Sequence, residues 1–362
     1  MLRRRLTAPM LFGALAMTAL ATPAAADPIG ILADVLATYN VVTFGDLGSA
    51  ANPYSSDSQG PVAVGGNAYL QDFTVAGITN NGVNALTVAG NLNQLRAQDG
   101  GNVFVGGNAD FHDGTQGGAT VLGTLTVNGA LINAPTQYQG PRLTGTDPIN
   151  FSTLQTNLTA ASAMLATGTG GTLGTVVYQD QWNQKELDLN GSNPTLDIFN
   201  ISAGLLDQIG GVQPDYSDGG GSFQINIPTG ATAIINVAGT TVNFGHPGNF
   251  GFFCNGVTCS ESGADDILFN FYQATSLSIQ SVFGSILAPY ADITYTNGQV
   301  DGTVIANSIG GPLYRTGEFH DDFFTGDPPD FATSNVPAPN ALAIMLIGLI
   351  GLMSFSRRRF TV

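Results

Sequence analysis

The chain has 362 residues, of which 10% are charged and 48 are glycine, and its formal net charge is −16. All 26 acidic residues fall within 27–330, against four basic ones there (Arg96, Arg142, Lys185 and Arg315), which leaves −22 on that part. Such a surface repels phosphate backbones and disfavours nucleic acid as a partner, while dispersed glycine argues against a collagen-like rod.

Arg3, Arg4 and Arg5 lead into the apolar stretch TAPMLFGALAMTALA, which exits through Ala24, Ala25 and Ala26. A positive start, an apolar run and a small-residue site describe a signal peptide over 1–26, cut after Ala26. The roughly 300 residues that follow suit one large or elongated domain, expected over 27–325.

The first half repeats itself: VAVGGNAYL (62–70), LTVAGNLNQL (86–95), VFVGGNADF (103–111) and LTVNGALIN (125–133). Each is a short run of β-branched or apolar residues ending in a Gly turn. Aligning Gly66, Gly90, Gly107 and Gly129 gives uneven steps near twenty residues, as in successive coils of a β-solenoid, where one coil cannot bury its apolar side alone. Next, Asp147 offers a helix cap with Pro148 at the first position. Phe151, Leu154, Leu158, Ala161 and Leu165 recur at helical spacing and Gly168 stops the run, so one amphipathic helix is expected along the solenoid flank.

Strand patterns resume and continue to 310. FGSILAP (283–289) and DGTVIAN (301–307) superpose Gly284 on Gly302 and Ala288 on Ala306, one coil apart, with Asn297-Gly298 at the corner. The expected fold is therefore mainly β, a β-solenoid with one flanking amphipathic helix and with N- and C-terminal apolar helices outside the domain. Cys254 and Cys259 flank an Asn-Gly turn, and in an oxidising compartment they read as a disulfide.

From 326 to 340 the chain is a polar, Pro-rich linker containing Val336, Pro337 and Pro339. Residues 341–355 are apolar or small, reach roughly 22 Å as a helix, and end at Arg357, Arg358 and Arg359. By the positive-inside rule the arginines stay cytoplasmic. A V-P-x-P motif, an apolar helix over 341–362 and a terminal Arg cluster resemble the PEP-CTERM sorting signal of Gram-negative bacteria, with Ala338 where that family usually has Glu. The resemblance implies an exosortase-type processing enzyme as a partner. It also implies a transient inner-membrane anchor through the C-terminal helix, and delivery to the envelope, outer surface or extracellular matrix.

A second resemblance covers most of the exported part. YNVVTFGDLGS, GPVAVGGNAYL, LNGSNPTLDIFNIS, INIPTGATAIINVAG, FGSILAPYADITYTNGQVDGTVIANSI and GEFHDDFFTG, in that order, resemble the choice-of-anchor A family of bacterial surface proteins. That resemblance implies an adhesive β-helix domain.

The densest polar cluster is GEFHDDFF (317–324). Glu318, His320 and Asp322 share a face if extended and form a candidate metal site. The alternative is a closing strand that seals the solenoid end, with Phe319, Phe323 and Phe324 inside and the charges outside. Asp265-Asp266 reads as a solvated turn, since adjacent strand residues point to opposite faces. His112 and His246 read as loop residues, and PDYSDGGGS (214–222) has calcium-loop composition without EF-hand spacing. No G-x-S-x-G or G-K-[ST] motif occurs, and the catalytic inventory is sparse. The expectation is an exported, non-catalytic surface protein, an adhesin or matrix component that holds exopolysaccharide or another surface ligand through Asn, Thr and Asp side chains, with Ca²⁺ bridging an anionic ligand. An ice-binding β-solenoid is the alternative, which a flat outward Thr row would favour, and a polysaccharide-degrading enzyme is a third reading.

Overall fold

The structure is a computed structural model that describes residues 27–112, 118–127, 130–131, 144–181, 184–209, 221–244, 251–259, 264–312 and 316–329. The signal peptide with Ala26 and the sorting signal with Val336, Pro337, Pro339, Arg357, Arg358 and Arg359 lie outside the described residues. So do His246 and most of 214–222. Among the described residues no helix is long and apolar enough to cross a membrane.

The protein is mainly β. Short parallel strands stack into a 13-stranded and a 10-stranded sheet, with a five-stranded sheet beside them, an arrangement consistent with a β-helix-like fold. Strands of the largest sheet read as continuous apolar runs, such as Val41–Thr43, Val62–Val64, Leu86–Val88 and Val103–Val105, because both of their faces are buried. One face carries an inward column in register: Val103, Leu86, Val62, Val41, Val304, Ile286, Phe269, Ile235 and Phe199. The opposite face presents Val42, Ala63, Ile198, Ile234, Leu268, Leu287 and Ile305 to the helices.

The order of stacking departs from a simple succession of coils. The first strand, Val41–Thr43, lies in the middle of the sheet, between Val62–Val64 and the last long strand, Val304–Gly310. One arm runs outward from it through 62–64, 86–88 and 103–105 to Ala119–Val121. The other begins at the far edge with Thr172–Leu173 and returns through Leu196–Ser202, Thr232–Ala238, Ile267–Asn270 and Ser285–Tyr295. The two ends of the domain are thus hydrogen-bonded partners.

The glycine repeat also needs one correction. Backbone N–H groups of Gly66, Gly90, Gly107 and Gly123 each donate to the glycine one step below (Gly45, Gly66, Gly90 and Gly107) at 2.8–3.0 Å. The fourth repeat is therefore Gly123, not Gly129, which lies outside the described residues. Leu125–Val127 pairs with Ala109–His112 in the 10-stranded sheet instead. The two LTV triplets, 86–88 and 125–127, look alike in sequence and occupy different sheets.

Among the described residues three helices occur, where one was expected within the domain. Helix α1 (Pro28–Thr38) is capped by Asp27, whose Oδ1 accepts from Ile29 N at 3.1 Å, and has Pro at its start. It buries Ile29, Leu32, Val35 and Leu36. Its stripe lies directly behind the expected cleavage site, where the apolar leader masks it. Helix α2 (Phe151–Ala166) is the expected amphipathic one, and Gly168 follows it at φ +68°. Its cap is Asn150, whose Oδ1 accepts from Thr153 N, whereas Asp147 accepts from Ile149 N before the helix begins. Helix α3 (Ala203–Gln208) is a short turn capped by Ser202.

Helix α2 is fastened by an amide ladder in which Asn236 and Asn270 are buried and Asn200 is exposed. Asn270 Nδ2 donates to Asn236 Oδ1 (2.8 Å) and to Ser162 O (2.9 Å). Asn236 Nδ2 donates to Asn200 Oδ1 (3.1 Å) and Leu165 O (3.0 Å), and Ser162 Oγ to Asn270 Oδ1 (2.6 Å). The meeting of the two arms has its own polar clamp in Asn40, which is fully buried. Its Nδ2 donates to His320 O (2.6 Å) and Gly302 O (3.1 Å), while its Oδ1 accepts from Ser58 Oγ and Gly60 N, both at 3.1 Å. In the same region Tyr54 and Tyr295 pack their rings on Phe319.

Two expectations for stability follow. Asn40→Ala removes the side-chain partner of two carbonyls and an N–H in the interior, while Ser58 Oγ keeps its bond to Gly60 O (2.9 Å). The loss costs roughly 3 kcal/mol in urea unfolding, and a loss below about 1 kcal/mol would show that the clamp is dispensable. Burial pushes the Asp99 carboxyl up from 3.8 to about 7. Between those values the folded protein holds a proton that the unfolded chain releases, so stability falls as pH rises through that window. Asp99→Asn is expected to flatten the decline and to exceed the wild type in urea midpoint above about pH 8.

Candidate functional site

Parallel stacking puts equivalent side chains of successive steps in columns, and one outward face is polar along both arms. It begins at the Gly-Asn corners. A Cβ on Gly66 would meet Asp46 Oδ1 at 2.3 Å and the Gly45 carbonyl carbon at 2.6 Å, so only glycine fits there. The Asn after it takes up the backbone of the next step. Asp46 Oδ1 accepts from Asn67 N (2.6 Å), Asn67 Oδ1 from Asn91 N (2.9 Å), Asn91 Oδ1 from Asn108 N (2.9 Å), and Asn108 Oδ1 from Thr124 N (2.8 Å).

Two residues further on, Tyr69, Asn93, Asp110 and Thr126 form a second outward column in register. Thr126 Oγ1 donates to Asp110 Oδ1 at 2.7 Å, and His112 Nε2 lies 2.9 Å from Asp110 Oδ2. His112 is thus a half-buried strand residue rather than a loop residue. Tyr69, Asn91, Asn93, Asn108, Asp110 and Thr126 line an open groove of about 430 Å³.

The face does not stop at the first arm. Leu47 bridges both Ala68 and Ile309, which carries both columns across the junction. The first continues from Asp46 to Ser308, Asp292, Ser276 and Thr241, and the second through Gly310, Thr294, Ser278 and Asn243. Asp292 Oδ1 accepts from Ser308 Oγ (2.6 Å) and Asn307 Nδ2 (2.7 Å). Nine steps at about 4.8 Å give a polar strip roughly 38 Å long. Hydroxyl, amide and carboxylate groups at that repeat, with one tyrosine ring, can hydrogen-bond a hydroxyl-rich surface or polymer.

The Thr residues do not make a row. Thr87 and Thr303 are buried (1% and 0% exposed), Thr241 and Thr294 fall in different columns, and Asp46, Asp110 and Asp292 interrupt them. Arg96, the cation nearest this face in sequence, is held by Asp72 in a bidentate pair at 2.6 Å, which keeps the Asp72 carboxyl below its usual value.

The cluster in 317–324 is not at the end of the stack. Glu318–His320 lies inside the 10-stranded sheet, third from one edge, between Tyr54–Ser58 and Gln299–Asp301. Phe319 and Phe324 are buried and Phe323 is half-buried, but His320 is buried as well, contrary to a strand with all charges outside. His320 Nδ1 lies 2.8 Å from Oδ1 of the fully buried Asp301, which also accepts from Gln299 Nε2 at 3.1 Å. His320 Nε2 is 3.6 Å from Glu318 Oε2, and the Glu318 side chain is 52% exposed. The structure therefore gathers Asp301, His320 and Asp322, whose ligand atoms lie within 4.8 Å of one another, with Glu318 at the rim. Sequence reasoning missed Asp301, because it meets His320 only through lateral strand register. Asp57 faces this group, and its carboxyl is raised by burial and then by the charge of Glu318, with His320 opposing.

Elsewhere, Asp265 and Asp266 sit in a turn and accept from Thr325 Oγ1 at 3.3 and 3.2 Å. Cys254 and Cys259 are bonded across the turn at Asn255 and Gly256, as their spacing suggested.

Residues 32–321 match the family described as "Putative Ice-binding-like adhesive domain". No curated protein and no solved structure matches the chain.

Proposed function

We propose, on the premise that the chain belongs to the ice-binding-like adhesive domain family over residues 32–321, that it is an exported, non-catalytic surface protein that holds hydroxyl-rich polymers on its polar strip. The stack is read as a β-solenoid, and the observation that carries the proposal is the pair of in-register columns running through both arms. Exopolysaccharide is the ligand class that suits them. Tyr69 offers a ring face for a sugar, and Asn93, Asp110 and Thr126 offer donors and acceptors at adjacent steps. The net charge of −22 on 27–330 disfavours an anionic glycan unless divalent cations such as Ca²⁺ bridge the two.

The terminal segments support an address at the cell envelope. Under this proposal the leader over 1–26 directs export. The V-P-x-P motif, apolar helix and Arg cluster act as a PEP-CTERM-type signal recognised by an exosortase-type enzyme, and the protein is a choice-of-anchor A-type surface component. Ice binding is a second reading, favoured by a parallel, in-register face rich in Ser, Thr and Asn; the three carboxylates within the columns weigh towards sugar.

The test is retention on extracted exopolysaccharide. Tyr69→Ala and the double variant Asn93→Ala/Asp110→Ala are each expected to weaken binding at least about tenfold, or 1.4 kcal/mol. Only a modest fall in Tm is expected, because these side chains lie on the outer face and outside the apolar core, although Asp110 is half-buried and bonded to Thr126. Undiminished retention by both variants would remove the strip from the proposal. Retention unchanged by chelator and salt would remove the cation bridge. Thermal hysteresis in the absence of glycan retention would favour ice instead.

A further inference from the structure

A separate site lies on the 10-stranded sheet beside the junction of the arms, away from the polar strip. We propose that Asp301, His320 and Asp322 bind a first-row divalent cation of the zinc class, with Glu318 close enough to serve as a fourth ligand. This goes beyond the adhesive reading and does not depend on it.

The geometry supports the assignment in three ways. First, the donor atoms of the three residues already lie within 4.8 Å of one another. Ligands about 2.0–2.2 Å from a tetrahedral ion stand roughly 3.3–3.5 Å apart. His320 Nδ1 and Asp301 Oδ1 stand 2.8 Å apart and all three donor atoms lie within 4.8 Å of one another, so small side-chain shifts reach that spacing. Second, two of the three ligands are fixed before any ion arrives. Asp301 and His320 are opposite each other in paired strands, Asp301 is fully buried, and Gln299 Nε2 contacts both of its oxygens. Asp322 follows the end of its strand, so it can adjust its approach without breaking the ladder. Third, the surroundings are rich in carboxylate. Besides the ligands, Glu318 Oε2 stands 3.6 Å from His320 Nε2, and Asp57 occupies the facing strand with a buried Oδ1 that has no hydrogen-bond partner among the described residues.

The donor set selects the metal. One imidazole with two or three carboxylates suits zinc and its neighbours, whereas Ca²⁺ takes six to eight oxygens and Mg²⁺ keeps an octahedral oxygen shell. Because Glu318–His320 pairs with both Tyr54–Ser58 and Gln299–Asp301, an ion held here would brace the pairing that joins the two arms. Binding therefore has a stability readout.

The experiment is zinc titration of the EDTA-treated full chain, followed by calorimetry and by thermal unfolding. One ion per chain is expected, with Tm raised by roughly 5 °C at a hundredfold excess over Kd. Ca²⁺ and Mg²⁺ at the same concentration are expected to leave Tm unchanged. Asp322→Asn, which leaves strand pairing intact, is expected to weaken zinc binding at least tenfold, and His320→Gln to abolish it. The proposal is overturned if the wild type shows no stoichiometric binding. It is equally overturned if Asp322→Asn binds zinc with wild-type affinity, since the ion then sits elsewhere, or if Ca²⁺ raises Tm as zinc does.

Discussion

The structure depends on the insertion of Val41–Thr43 between Val62–Val64 and Val304–Gly310. A parallel strand missing from the middle of a sheet would expose two rows of unpaired backbone groups at once and split the interior in half. The column Val62, Val41, Val304 makes the interior continuous, and Asn40 satisfies the polar groups that the corner would otherwise bury unpaired. Partners separated by more than 260 residues must meet before either arm is sealed. Such long-range closure is slow in entropic terms, and it gives every contact at the junction, from Tyr54 on Phe319 to Thr303 on the end of α1, a share in cooperativity.

The same geometry that builds the interior creates the outer face. Parallel in-register strands repeat each side chain's direction at every step, so a polar residue at one corner meets its counterpart at the next. Buried and exposed amide ladders show the two outcomes. Asn236 and Asn270 lie buried under α2 and spend their hydrogen bonds on one another and on the helix, with the exposed Asn200 accepting at the end of the row. Asn67, Asn91 and Asn108 lie in the open, and each uses its Oδ1 to hold the next step's N–H. The first set fixes a helix, and the second sets the spacing of the outward groups beside it.

Much of this was legible in the sequence, where the signal is local. The Gly-Asn corners, the coil from Gly284 to Gly302, the stripe of α2 and the bonded cysteine pair all follow from spacing within about twenty residues. The misses share a different cause. Gly129 reads as the fourth corner because LTVNG repeats the pattern of LTVAG, and pattern does not reveal which sheet a strand joins. Helix α1 escaped because its apolar stripe adjoins an apolar leader. Asp301 escaped because its partnership with His320 is a matter of register between strands, and the central place of the first strand is a matter of topology. Neither leaves a mark on local periodicity.

With the first strand and the last long strand of the described residues paired at the centre, the outer edges of the largest sheet are made by intervening stretches, Ala119–Val121 in one direction and Thr172–Leu173 in the other. Extra turns spliced in at either rim would lengthen the molecule without disturbing the junction or its clamp. The architecture is thus one whose reach can be altered piecemeal at its extremities, while the central weave stays fixed.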